Sequence, residues 1–136
     1  MKELKKILYV DDDEDIQLIV KVGLESTTEF ELTVCSSGAE ALETLSKNTP
    51  DLLLLDVMMP EMDGPSLVKE IRLRDDINDV PYIYITAKAH PNDVASLLLT
   101  GAISVITKPF NPMELGDELQ QLWNKSIRSE NMSLTS

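Results

Sequence analysis

The sequence predicts an α/β fold: a five-stranded parallel sheet, doubly wound, with helices on both faces. Three observations predict it. Short apolar runs alternate with longer stretches of helical spacing, strand then helix, five times over. One short run, Leu52 to Leu55, is four consecutive leucines. That is wrong for a strand with one wet face and right for a central strand buried on both. The length, 136 residues, suits one domain whose core needs neither disulfides nor structural metal.

Strands are predicted over 6–10, 30–35, 51–55, 80–85 and 103–106. Each run is too short for a typical helix and rich in Ile, Val, Leu or Tyr. The first helix, 14–26, places Ile16, Ile19, Val20, Gly23 and Leu24 on one stripe and leaves Leu18 and Val22 outside it. The second, 37–46, gathers Ala41, Leu42 and Leu45, with Ser37 as N-cap and Glu40 completing a capping box. The third, 66–73, carries Leu67, Val68 and Ile71. The fourth, 91–100, has Pro91 in its first turn and Gly101 at its end. Its successive leucines, Leu97, Leu98 and Leu99, span about 200° of the helix, wider than a buried stripe of ~100°. At least one of them should therefore lie at the edge or outside. The last helix, 111–125, opens with Asn111 as N-cap and Pro112 at the first helical position. Residues 126–136 are polar and aperiodic, and are expected to form a disordered tail outside a domain of residues 1–125.

Aromatic residues are only 4% of the chain, so the core must be built from Leu, Ile, Val, Met and Ala. The formal charge of −12 argues against direct binding to nucleic-acid phosphates or to anionic membranes. Most of that charge is a solvated acidic surface. The single cysteine, Cys35, lies in an apolar stretch and reads as a small buried hydrophobe. Neither a signal peptide nor a membrane span is visible, which makes the cytoplasm the expected location.

Ligands of open parallel sheets sit beyond the carboxyl ends of the strands. The first predicted strand ends in Asp11, Asp12 and Asp13, the third in Asp56, the fourth in Thr86 and the fifth in Thr107 and Lys108. Carboxylates, a hydroxyl and an ammonium would converge there. Such a carboxylate cluster repels itself unless a hard cation such as Mg²⁺ neutralises it. A carboxylate also serves as nucleophile in forming an aspartyl-phosphate, and cations and donors stabilise the phosphoryl charge. Taken singly, each residue is more often ordinary: a solvated loop, a strand end, a surface lysine. Asp13 reads as a helix-start charge, Asp63 with Gly64 as turn chemistry, His90 as an exposed loop residue and Trp123 as packing.

The pieces in order resemble the receiver domain of two-component response regulators, which implies the flavodoxin-like fold of the chemotaxis regulator, with strand order 2-1-3-4-5. They are ILYVDDD from Ile7, LLLLDVMMPEMDG from Leu52, YITA from Tyr84, GA at Gly101 and TKPF from Thr107. The resemblance covers about residues 5–125. It implies that Asp11 and Asp12 hold Mg²⁺ (with Mn²⁺ as a substitute), together with Asp56 and the backbone carbonyl of Met58. It implies that Asp56 accepts the phosphoryl group, that Thr86 and Lys108 bind its oxygens, and that Pro109 follows a cis bond. The implied partners are a sensor histidine kinase or histidine phosphotransfer protein and a downstream effector protein, with self-association as another route to output. Such a domain catalyses its own phosphorylation and dephosphorylation without turning over an external substrate. The sequence departs from the family where Val105 and Ile106 replace the usual aromatic of the fifth strand. Alignment to Gly101 and Ala102 matches Leu98 to the buried family position and leaves Leu97 and Leu99 as candidates for exposure. Two rival readings remain. One is a degenerate receiver that binds partners without phosphorylation, though the acidic pair, acceptor and lysine are all kept. The other is an aspartyl-nucleophile phosphohydrolase, which would need a general acid where Met58 stands.

Overall fold

The computed structural model describes residues 3–77, 79–88 and 90–135, with 128–135 as backbone alone. Strands and helices alternate strictly: β1 (Lys6–Val10), α1 (Glu14–Thr27), β2 (Glu31–Cys35), α2 (Gly38–Leu45), β3 (Leu52–Asp56), α3 (Gly64–Arg72), β4 (Tyr82–Thr86), α4 (Pro91–Leu98), β5 (Ser104–Thr107) and α5 (Pro112–Thr135). The sheet order is β2-β1-β3-β4-β5, and every pairing is parallel. The later strands end one residue beyond their expected limits, so Asp56, Thr86 and Thr107 are the last residues of β3, β4 and β5.

The leucine run behaves as a central strand should. Leu53 and Leu55 join the layer formed with α2, α3 and α4, while Leu52 and Leu54 join the layer formed with α1 and α5. The two-residue alternation of a strand sends neighbours to opposite faces, and all four side chains are buried. Cys35 is buried, and Trp123 packs in the α1–α5 layer.

Caps start the helices where polar side chains precede apolar stripes. Asp13 caps α1 by accepting from the backbone N–H groups of Asp15 and Ile16. Ser37 caps α2 by accepting from Glu40 N at 3.1 Å. The Glu40 carboxylate reaches back, but to Ser36 N rather than to the cap residue. Asp63 caps α3, so that helix begins at Gly64 rather than Ser66. His90 is exposed, and its ring nitrogen accepts from Asn92 N at 3.3 Å at the start of α4.

Three further expectations change. On α1, Val20, Gly23 and Leu24 are buried, whereas Ile19 is exposed. Ile19 stands about 100° around the helix from Val20, at the flank of the stripe. On α4, Leu99 is exposed at 87% as expected, but Leu97 and Leu98 exchange the places inferred by alignment: Leu97 is 8% exposed and Leu98 43%. Leu97 packs with Met59 and Tyr84 in the α2–α4 layer, and Leu99 is already the C-cap, where the helical stripe ends. Finally, α5 runs on to Thr135 instead of stopping near residue 125. The stretch 126–135 contains no Gly or Pro, and extending an existing helix requires no new nucleus.

Candidate functional site

The parallel topology carries β1, β3, β4 and β5 to one edge, and their last residues meet there. Asp11 and Asp56 are buried, at 0% and 5% exposure, while Asp12 is exposed. Oxygens of Asp11, Asp12 and Asp56 lie within 4.8 Å of one another. Lys108, just past β5, places its Nζ 3.3 Å from Asp11 Oδ2 and 3.3 Å from Asp56 Oδ1. The Lys108–Pro109 bond is cis.

Three carboxylates around one ammonium leave the cluster short of positive charge. Burial pushes the Asp56 carboxyl up to about 6; the neighbouring Asp11 charge adds to this, and Lys108 opposes it. Burial pulls the Lys108 ammonium toward neutrality, but Asp11 and Asp56 outweigh burial and hold its pKa above the ordinary lysine value. The donor set suits a divalent cation: hard carboxylate oxygens, crowded, with two of the three carboxylates buried.

Thr86 follows Ile85, the register partner of Asp56. It is buried, and its Oγ1 accepts from Lys88 N at 3.1 Å. Beside it opens a cavity of about 590 Å³ lined by Met58, Met59, Pro60, Thr86, Lys88 and Leu97, among others. The cavity reaches from Thr86 at the end of β4 to Leu97 of α4. The Met58 side chain is exposed.

Two contributors escaped the motif reading. Gln17 donates from Nε2 to the Asp11 carbonyl at 2.5 Å and to Ser36 Oγ at 3.0 Å, tying α1 to β1 and to the loop after β2. Tyr9, fully buried, donates to Asp11 Oδ2 at 2.5 Å. Burial, then the hydrogen bond to Asp11, raises the Tyr9 phenol far above its ordinary value. Strand alternation was the available signal, because residues two apart on β1 share a face.

Residues 7–120 match the family model of the response regulator receiver domain. Response regulator SaeR of Staphylococcus aureus is 41% identical over 109 residues, covering 80% of this chain and 46% of that protein. The chain thus spans about half the length of the curated relatives it matches. Among solved structures, chemotaxis response regulator CheY4 of Vibrio cholerae superposes with a TM-score of 0.79 at 31% identity, covering 88% of this chain and 99% of that one. The Mn²⁺-bound form of response regulator Rcp1 gives 0.70 at 26% identity, covering 87% and 91%.

Proposed function

The chain belongs to the response regulator receiver domain family of two-component signalling, and we propose that it is a phosphorylation-controlled switch whose phosphoacceptor is Asp56. The observation that carries this reading is the position of Asp56. It is a buried carboxylate at the end of the central strand, with Lys108 at 3.3 Å and the carboxylates of Asp11 and Asp12 beside it. A strand-end carboxylate so placed attacks the phosphorus of a phosphohistidine; the new bond is O–P, and the P–N bond to the imidazole breaks. The Lys108 ammonium and the Thr86 hydroxyl bind the transferred oxygens. Asp11, Asp12, Asp56 and the Met58 carbonyl hold a divalent cation, Mg²⁺ with Mn²⁺ as substitute. The cation offsets the carboxylate charge and stabilises the phosphoryl oxygens.

The phosphodonor is a histidine kinase or a histidine phosphotransfer protein. Leu18, Ile19 and Val22 on α1 and Met113 at the start of α5 are exposed, and they offer this donor an apolar docking surface. Output runs through α4, β5 and α5 to an effector protein or a second copy. No described helix is long and apolar enough to cross a membrane, and a cytoplasmic location suits a domain that exchanges phosphoryl groups with a kinase. Residues 1–125 form the switching unit.

Treatment with acetyl phosphate and Mg²⁺, read by intact mass, tests the assignment. The wild type should gain one phosphoryl group, and Asp56→Asn none. Stoichiometric capture by Asp56→Asn would overturn the assignment. Absence of capture by the wild type would favour a binding module that works without phosphorylation.

A further inference from the structure

A neutral side-chain donor that the switch chemistry does not use, the Tyr9 hydroxyl, reaches into the carboxylate cluster. The Tyr9 ring lies in the α1–α5 layer with Val20, Leu24 and Ile83, and only its hydroxyl reaches out of that layer, to Asp11 Oδ2. The other oxygen, Asp11 Oδ1, accepts from Asp13 N at 2.9 Å. The carboxylate is therefore held at both oxygens by neutral groups on its own strand and on the loop that follows. Oδ2 also faces Lys108, but that contact differs in kind. An ammonium repels an incoming cation and is needed by the phosphoryl group, whereas a phenol adds no positive charge. Asp12 is exposed.

We propose that Tyr9 is a positioning residue for the divalent-cation site, fixing the plane of the Asp11 carboxylate and so favouring Mg²⁺ over Ca²⁺. The inference rests on reading Asp11, Asp12 and Asp56 as that site. Mg²⁺ demands near-ideal octahedral geometry, while Ca²⁺ accepts variable numbers and angles of oxygen ligands. A carboxylate pinned at both ends suits the first ion. One free to swing loses the advantage of Mg²⁺ and leaves Ca²⁺ binding little changed. Removing an outer hydrogen-bond partner of a metal ligand typically costs about 10- to 100-fold in affinity.

The test is titration of the full chain with Mn²⁺, followed by water-proton relaxation, with Mg²⁺ and Ca²⁺ read by displacement. Tyr9→Phe should weaken Mg²⁺ about 10-fold and Ca²⁺ much less, narrowing the ratio between them. Equal losses for both ions, or no loss for Mg²⁺, would overturn the proposal. Failure of the wild type to take up Mn²⁺ at all would instead overturn the cation site and this inference with it. Circular dichroism without metal checks the fold. Should Tyr9→Phe fold poorly, Tyr9→Met, whose flexible apolar side chain adapts to the same layer, removes the hydroxyl and carries the same expectation.

Discussion

Strand β4 borders a polar cluster near each end, and the two are built on opposite rules. At the Thr86 end stand Asp11, Asp12, Asp56 and Lys108, three negative charges to one positive. At the Tyr82 end lies a knot in which donors and acceptors match. Arg72 donates to the Thr100 carbonyl and to the Tyr82 hydroxyl. Tyr82 donates to the Thr100 carbonyl at 2.6 Å, and Tyr84 shares a hydrogen bond with Thr100 Oγ1 at 3.0 Å. Thr100 Oγ1 in turn donates to the Leu97 carbonyl at 2.8 Å. The two tyrosine rings meet edge to face at 5.5 Å. The knot joins α3 and β4 to the end of α4, a helix whose apolar anchorage is one buried residue, Leu97. The first cluster stores unfavourable charge that a ligand can relieve, whereas the second is already satisfied and holds the structure. Removing a charge from the first and a contact from the second should therefore change stability in opposite directions.

The largest effect is expected at Asp56. Its carboxyl is raised from 3.8 to about 6, so the folded state binds the proton more tightly than the unfolded state does. The associated stability is present below about pH 4 and lost as pH rises through about 6. At neutral pH without metal, Asp56→Asn should stabilise the domain by up to about 3 kcal/mol, the ~2-unit shift at 1.36 kcal/mol per unit. Urea unfolding across that pH range should show the gain shrinking toward acid. A gain independent of pH would mean that packing, not charge, is responsible.

Gly101→Ala comes next and acts on the satisfied cluster. Gly101 has φ +109, a backbone conformation that L side chains rarely adopt. An added Cβ would also meet Arg72 Nη2 and push it from the Thr100 carbonyl. We expect a loss of about 2 kcal/mol, read by the same unfolding curves.

Thr100→Val should cost less, about 1–2 kcal/mol, because it removes the Oγ1 bonds and leaves the backbone carbonyl in place. Hydrogen exchange should then rise in α4 more than in α1. Uniform acceleration across the domain would mean that the knot does not hold α4 specifically.

The strand-ending acids and the lysine were legible in the sequence because each ends a short apolar run, and a doubly wound sheet brings such ends to one edge. Leu97 shows where that reading stops. Three adjacent leucines cannot all face inward, yet which one does depends on where Met59 and Tyr84 stand, and both come from distant segments. Ile19 was misplaced because a stripe read from spacing alone has no edge until α5 covers it. The extension of α5 was missed because polar, aperiodic residues carry no packing signal, although nothing in them breaks a helix.

By itself, the sequence determined the order of strands and helices, the burial of the leucine strand on both faces, and the convergence of Asp11, Asp12, Asp56, Thr86 and Lys108. These follow from local periodicity and from the few ways a right-handed strand–helix repeat can close. Only the tertiary structure decided which leucine of α4 is buried and that Arg72, Tyr82, Tyr84 and Thr100 form one network. Those contacts join residues far apart in the chain, and no local pattern records the partner across the gap.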